Sequence, residues 1–125
     1  MKFFITLAVA SIFLTSAGDC GNKGENNIKY KGRIEIAGIC MNYTIKLLGG
    51  EMDSSKIVAN WTDESTNKSY TNVFALENPC NFPFTIKTGD EFYFYIDTSA
   101  KKECITCMAY YPTPPKKLPI VVVEK

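Results

Sequence analysis

Hydrophobic and polar residues alternate along most of the chain from residue 28 onward. Alternate positions carry Phe92, Phe94 and Ile96, and the same pattern occurs over 57–61. A period of two over short segments is typical of strands that bury one face. Further apolar segments of this kind lie at 28–36, 41–47, 70–76, 82–86, 105–111 and 118–123. The pattern therefore predicts seven or eight strands. If 82–87, 91–97 and 104–111 form a meander, Cys80 and Cys104 lie at the same end of it.

Turn-forming residues separate these segments. Four stretches are rich in Gly, Pro, Asp and Ser: "LGGEMDSS", "TDESTNKS", "ENPCNFP" and "KTGDE". These residues favour turns because Gly allows a positive φ, Pro fixes φ, and Asp and Ser hydrogen-bond to nearby backbone. In the last stretch, Gly-Asp tolerates the positive φ of a tight turn. Their spacing of about ten residues is typical of a β-sandwich or small barrel. We predict one all-β domain over residues 28–125, a small β-sandwich of seven or eight antiparallel strands stapled by disulfides.

The first 17 residues have the pattern of an export signal. Lys2 provides a positive start, an apolar run follows over 3–15, and small residues come next. The run is shorter than the roughly 20 residues that a transmembrane helix needs. We therefore predict a signal peptide over 1–17, a flexible polar lead-in over 18–27 and a secreted, extracellular protein without a membrane span after cleavage.

The five cysteines are interpreted as scaffold disulfides, because exported chains use cysteine mainly in this way. Cys104 and Cys107 form a Cys-x-x-Cys sequence, but on a strand such positions point to opposite faces and cannot pair or share a metal. We expect a Cys80–Cys104 bridge, and Cys107 could reach Cys40 or Cys20. The odd cysteine is then either buried and free or able to link two chains as a dimer.

Charge and composition narrow the classes of function. Removing residues 1–17 takes away one lysine and leaves 13 basic and 13 acidic residues. Such a balance argues against nucleic acid or an anionic membrane as the main partner. The chain has no histidine, which removes Ser-His-Asp and Cys-His nucleophilic sites. No phosphate-binding or Ca²⁺-binding loop occurs, so we predict no cofactor and no metal.

Paired carboxylates are the remaining catalytic candidates. All of them lie in predicted turns, where acids commonly serve turn formation and solubility. We therefore interpret them as turn residues and keep a carboxylate-based hydrolase as an alternative. The pairs are Glu51 with Asp53, Asp63 with Glu64, and Asp90 with Glu91.

The stretch "EFYFYID" offers a candidate binding surface. Alternation places Phe92 and Phe94 on one face, which should be the core, and Tyr93 and Tyr95 on the other. Tyrosine provides contact area together with a polar tip, so this face could recognise a partner. The alternative is a second packed face.

Three Asn-x-Ser/Thr sequons are glycosylation candidates in an exported protein. They begin at Asn42, Asn60 and Asn67. Asn67 lies in a polar loop and is the best candidate, whereas the other two flank strands.

The chain resembles the nematode transthyretin-like family of secreted β-sandwich proteins over residues 29–115. The similar parts are "YKGRIEIAGIC", "YTIKLL", "ANWTDES" and a late cysteine pair before a Tyr/Pro segment. The family's glycine after Thr-Asp is absent, since "TDESTNKSY" stands there. The resemblance implies an extracellular binding or signalling protein without catalysis, and it assigns no ligand residues. The chain also resembles the small cysteine-bridged β-sandwich effectors of plant-pathogenic fungi, in size and signal peptide alone.

Together these observations predict a secreted, non-enzymatic, effector-like binding protein whose partner is an extracellular protein or a small apolar ligand. A protease-inhibitor-like module is a further alternative. Its candidate loop is "ENPCNFPF", which Pro79, Pro83 and a bridge at Cys80 would hold rigid.

Overall fold

The computed structural model describes residues 28–99 and 107–124, and within them it contains seven strands and three short 3₁₀ turns. The all-β class predicted from the alternation is confirmed. The predicted signal peptide and lead-in lie outside the described residues. The strands are β1 (Tyr30–Ala37), β2 (Tyr43–Gly49), β3 (Val58–Asp63), β4 (Lys68–Leu76), β5 (Glu91–Ile96), β6 (Lys117–Leu118) and β7 (Ile120–Glu124), and the 3₁₀ turns are Ile39–Met41, Ser54–Lys56 and Pro79–Asn81.

The strands form one sheet that closes on itself. Its order is β3-β4-β2-β1-β5-β7, and β6 pairs in parallel with β4. The other pairs are antiparallel, including β5 with β7. Only Pro119 separates β6 from β7, so the last segment joins β4 to β5 and completes a ring. A sandwich would require two facing sheets, whereas this pairing describes a barrel made from a single sheet.

The order of the strands around the ring has a known counterpart. β3 pairs with β4 alone. Without it, and with β6 and β7 counted as one strand interrupted at Pro119, the described part of the ring has five strands in the order first, second, third, fifth, fourth. This is the Greek-key order of the OB-fold, in which the loops after the first and fourth strands flank the usual binding surface. Those loops here are residues 38–42 and, in the stretch that follows β5, the described residues 97–99 and 107–116. Since a fold does not imply a function, the topology indicates where to look and not what binds.

Phe94 lies at the centre of the core. Its ring contacts those of Tyr30, Phe74 and Phe92 at centroid distances of 5.6, 5.7 and 5.8 Å. Phe92, Phe94 and Ile96 are all buried, so the predicted inward face of β5 is confirmed. Aromatic pairs at such distances add to the stabilisation that burial itself provides.

Gly32 allows β1 to approach this aromatic core. A Cβ atom at residue 32 would lie 3.0 Å from Cε1 of Phe94 and 3.2 Å from Cγ2 of Ile45. Two register shifts interrupt the pairing of β1 with β2, one of them directly before Gly32. Bulges bend and twist a strand, which helps β1 to pair with both β2 and β5.

The predicted strand at 82–86 is wrong. The backbone N–H of Phe82 donates to the carbonyl of Pro79, and that of Ile86 donates to Pro83, so the segment consists of tight turns. Phe82 and Ile86 are buried, but Phe84 between them is 86% exposed. Proline cannot donate to a strand ladder, and this explains why alternation misled here.

The described part of the predicted strand at 105–111 is also not a strand. Residues 107–114 have no regular secondary structure, so the proposed meander is wrong as well. The predicted Gly-Asp turn does form: Gly89 has a φ of +89°, and the N–H of Asp90 donates to the carbonyl of Lys87. It leads from the proline-containing loop into β5 and does not join two strands. Among the described residues, no helix has the length and apolarity to cross a bilayer.

Candidate functional site

Two loops at the barrel surface are joined by a disulfide between Cys40 and Cys107, whose Cα atoms lie 5.4 Å apart. One loop is residues 38–42 between β1 and β2, and the other is residues 107–111. We call them together the loop pair. The sequence left Cys40 and Cys20 open as partners of Cys107, and in the structure Cys107 pairs with Cys40.

The backbone of the first loop is tightly constrained. A Cβ atom at Gly38 would lie 2.6 Å from the carbonyl oxygen of Asn42 and 2.9 Å from the ring of Tyr111. Glycine is therefore needed for the Tyr111 ring to pack against this loop. Cys40 and Met41 have φ values of 56° and 57°, a region that is uncommon for residues other than glycine. Such conformations cost energy and persist where surrounding contacts enforce them.

Asn42 ties the two loops together beside the disulfide. Its Nδ2 donates to the carbonyl oxygen of Ile39 at 2.8 Å and to that of Ala109 at 3.1 Å. The first bond closes the loop on itself, and the second crosses to the other loop. The side chain that carries the first sequon is thus part of the scaffold.

Asp63 fixes the loop pair to the end of β3. Its buried carboxylate accepts hydrogen bonds from the backbone N–H and the hydroxyl of Ser65, at 2.8 and 2.7 Å, and from the Tyr111 hydroxyl at 3.3 Å. Burial by itself raises the pKa of Asp63, but the hydrogen bonds from Ser65, Thr66 and Tyr111 outweigh it and hold that pKa below its usual value.

Three large side chains project from the loop pair. Ile39 is 59% exposed, Met108 is 96% exposed and Tyr110 is 77% exposed. The Tyr110 hydroxyl donates to Oε1 of Glu64 at 3.0 Å, and this bond raises the pKa of the phenol. Several exposed hydrophobic side chains on loops that a disulfide joins are a candidate interaction site, whereas singly scattered ones are normal.

Sequence reasoning missed these residues. Ile39 directly precedes Cys40 and Met108 directly follows Cys107, so a bridge between the two cysteines joins the loops that carry both residues. The Cys40–Cys107 pairing, had it been chosen, would therefore have pointed to Ile39 and Met108 as neighbours of the bridge. Connectivity cannot be deduced from spacing alone, and the sequence could not choose it.

Tyr93 and Tyr95 lie on the outer face of β5, as predicted, and both are half-buried. The Nζ atoms of Lys29 and Lys31 lie 4.7 and 5.8 Å from the centre of the Tyr93 ring. This ring is therefore covered by cations of its own chain. Tyr95 lines a surface depression of about 220 Å³ beside Val121, which is below the roughly 300–1,000 Å³ of typical ligand pockets.

The aspartates of the predicted carboxylate pairs serve their own turns. Asp53 accepts from the N–H of Ser55 at 2.9 Å, and Asp90 accepts from the N–H of Lys87 at 3.0 Å. The bonds from Ser55 hold the pKa of Asp53 below its usual value. Within residues 28–99 and 107–124, no group of three or more His, Cys, Asp or Glu side chains is placed to hold a metal ion.

The other cysteine predictions reach beyond the described part of the chain. Cys80 is disulfide-bonded, but Cys104, its predicted partner, and Cys20 both lie outside the described residues. The Cys80–Cys104 bridge and the dimer through an odd cysteine therefore stay predictions.

No protein-family model matches this chain, and no curated protein or solved structure matches it.

Proposed function

We propose that this chain is an exported, non-enzymatic binding protein that contacts an extracellular protein through the loop pair. The observation that carries the proposal is the exposure of Ile39, Met108 and Tyr110 on two loops that a disulfide joins. Export is supported by the signal-peptide pattern of residues 1–17 and by disulfide use, which is typical of oxidising compartments. The resemblance to transthyretin-like proteins implies the same class of role.

The loop pair is constrained and partly apolar, and such a surface suits recognition of another protein. Interfaces are enriched in tyrosine and methionine, and methionine adapts its shape to a partner. The Cys40–Cys107 bridge and the bonds of Asn42 order both loops in advance, which lowers the conformational entropy lost on binding. The three side chains project outward, and this geometry favours a protein partner over a small apolar ligand enclosed in a cavity.

Combined replacement of Ile39, Met108 and Tyr110 by serine tests the proposal. We expect binding to a partner captured from extracellular fluid to weaken by about 100-fold or more, because each central interface side chain commonly contributes about 1–2 kcal/mol or more. The matched control is Phe84→Ser, which removes an equally exposed side chain from a different loop. Binding by surface plasmon resonance and melting temperature are measured for both variants.

Two outcomes contradict this assignment of the binding surface. One is a triple variant that binds as tightly as the wild type, and the other is an equal loss in the Phe84→Ser control. A photo-crosslinking residue at position 108 should also give a saturable adduct with the partner that the same residue at position 84 does not give.

A second candidate function is protease inhibition through the loop "ENPCNFPF". Its support is the 86% exposure of Phe84 between the buried anchors Phe82 and Ile86, next to the disulfide-bonded Cys80. The turn closed by Ile86 and Pro83 argues against it, because a substrate-like inhibitory loop must be extended at the residue that enters the protease. Assays against a panel of proteases should show no inhibition, and inhibition that Phe84→Ala or Pro83→Gly abolishes would favour this candidate instead.

A further inference from the structure

The three sequons lie in structurally different places, although they are equivalent in sequence. Asn60 and Asn67 are exposed, the first on β3 and the second in the turn between β3 and β4. Asn67 has a φ of 63°, a conformation that asparagine adopts more readily than most residues. Asn42 is half-buried in the loop pair. The structure therefore distinguishes sites that the spacing of residues treats alike.

A glycan at Asn42 is incompatible with the folded loop pair. Attachment of a sugar replaces one of the two hydrogens on Nδ2, and both of these hydrogens are used, one toward Ile39 and one toward Ala109. A modified amide could keep only one of these bonds, and the sugar would occupy the space beside the lost acceptor. Thr44, the hydroxyl residue of this sequon, is itself fully buried.

The hairpin formed by β3 and β4, unlike the loop around Asn42, presents its sequon residues on an exposed face. Asn60 pairs with Thr71, and Thr62 pairs with Ser69. Because side chains alternate between the faces of a strand, these four exposed and uncharged residues share one face. The hydroxyls of Thr62 and Ser69, which complete the sequons of Asn60 and Asn67, lie 2.9 Å apart across this face.

The other face of the hairpin is turned toward the loop pair. Trp61 and Tyr70 are paired there, with ring centroids 5.8 Å apart. Asp63 is two residues after Trp61 and so lies on the same face of β3. Its carboxylate accepts a hydrogen bond from the hydroxyl of Tyr111. A sugar at Asn60 would therefore project from the face of β3 opposite to Asp63 and its bond to Tyr111.

We propose that the exported protein carries N-linked oligosaccharides at Asn60 and Asn67, and none at Asn42. Within residues 28–99 and 107–124, no hydrogen bond engages the side-chain amide of Asn60 or Asn67, so a glycan there displaces no hydrogen bond. In each transfer, Nδ2 forms a bond to C1 of an oligosaccharide donated by a polyprenyl diphosphate carrier. The C1–O bond to the diphosphate breaks, the amide loses one proton, and the carrier leaves as the diphosphate.

The inference rests on the export that forms part of the proposed function, and the test separates the two. The full chain is expressed in a eukaryotic secretory host, once with its own first 17 residues and once with a heterologous export leader in their place. Secreted protein is treated with an amidase that releases N-glycans and converts each modified Asn to Asp, and the sites are read by peptide mass.

We expect Asp at positions 60 and 67 after treatment and unchanged Asn at position 42. Thr62→Ala and Ser69→Ala should each remove one glycan from the intact mass. Thr44→Val removes the sequon of Asn42 while keeping the shape of the buried side chain, so it should leave the glycan mass unchanged. Melting temperatures of the deglycosylated variants check that each one folds.

Either of two results on the secreted protein overturns the inference: a glycan at Asn42, or an unmodified amide at Asn60 or Asn67. Secretion with the heterologous leader alone contradicts the proposed export by the native leader, while the glycan sites are still read on that preparation.

Discussion

The carboxylate of Asp63 is the buried charge that positions Tyr111 against the loop pair. It lies at the end of β3 and accepts hydrogen bonds from the hydroxyls of Ser65 and Tyr111. The sequence marked this residue only as one member of an acidic pair in a turn. Its connection to Tyr111, 48 positions later, depends on the path of the chain between β5 and β6.

Replacing Asp63 with Asn should lower the free energy of unfolding by about 1–3 kcal/mol at neutral pH, the range for hydrogen bonds to a charged group. The folded pKa lies below the unfolded value of about 3.9. The stabilisation is therefore complete above the unfolded pKa and is lost as the pH falls through the folded pKa. Urea denaturation of both proteins at a series of pH values measures the difference.

The difference between wild type and Asp63→Asn should shrink as the medium is acidified below about pH 4. Asp53→Asn is the matched control, because Asp53 also caps a turn but is exposed, and it should have a smaller effect. A difference for Asp63 that stays constant down to strongly acidic pH would contradict the assigned role.

Thr44 provides a test of an unsatisfied buried group. Its side chain is fully buried, and its hydroxyl has no hydrogen-bond partner within the described residues. Thr44→Val keeps the shape and removes the hydroxyl, so we expect the free energy of unfolding to rise by about 1 kcal/mol. Thr62→Val, at an exposed hydroxyl that bonds Ser69, should give no such gain. A loss of stability in the Thr44→Val variant would indicate that the hydroxyl is satisfied in solution.

At the scale of the element, β5 is the strand that the sequence described best. Its alternation distinguished the buried Phe92, Phe94 and Ile96 from the outer Tyr93 and Tyr95. The same period failed at 82–86, where Pro83 and tight turns replace the strand. Period two identifies a strand only when every residue can also take part in the ladder.

Replacement of Phe94 by alanine should destabilise the protein by about 3–5 kcal/mol, the usual range for a buried phenylalanine. Replacing Tyr93 and Tyr95 together by serine should cost less, because both tyrosines are half-buried. Guanidinium denaturation followed by tryptophan fluorescence of Trp61 compares the variants. Equal losses would mean that both faces of β5 are packed.

At the scale of the whole molecule, the Cys40–Cys107 disulfide joins residues that are 67 positions apart. Closing a loop of this length restricts the unfolded chain by about 4 kcal/mol of free energy in the chain-entropy model. We expect the double variant Cys40→Ser, Cys107→Ser to lose about 2–4 kcal/mol of stability. It should also bind the partner more weakly than the wild type at temperatures where both are folded.

Circular dichroism melting measures the first effect, and binding at a temperature well below both transitions measures the second. The Phe84→Ser variant again serves as the control for binding. Unchanged affinity in the folded double variant would show that the disulfide serves stability and does not organise the loop pair for binding.

The sequence by itself determined the all-β class, the inward face of β5, and turns such as the one at Gly89. These properties depend on local backbone preferences and on the alternation of side chains, which neighbouring residues specify. Only the tertiary structure decided that the sheet closes through β6 and β7, that Cys40 pairs with Cys107, and that the exposed Ile39, Met108 and Tyr110 lie on two loops joined by this disulfide. Each of these depends on contacts between distant positions, and no local period or spacing encodes which distant segments meet.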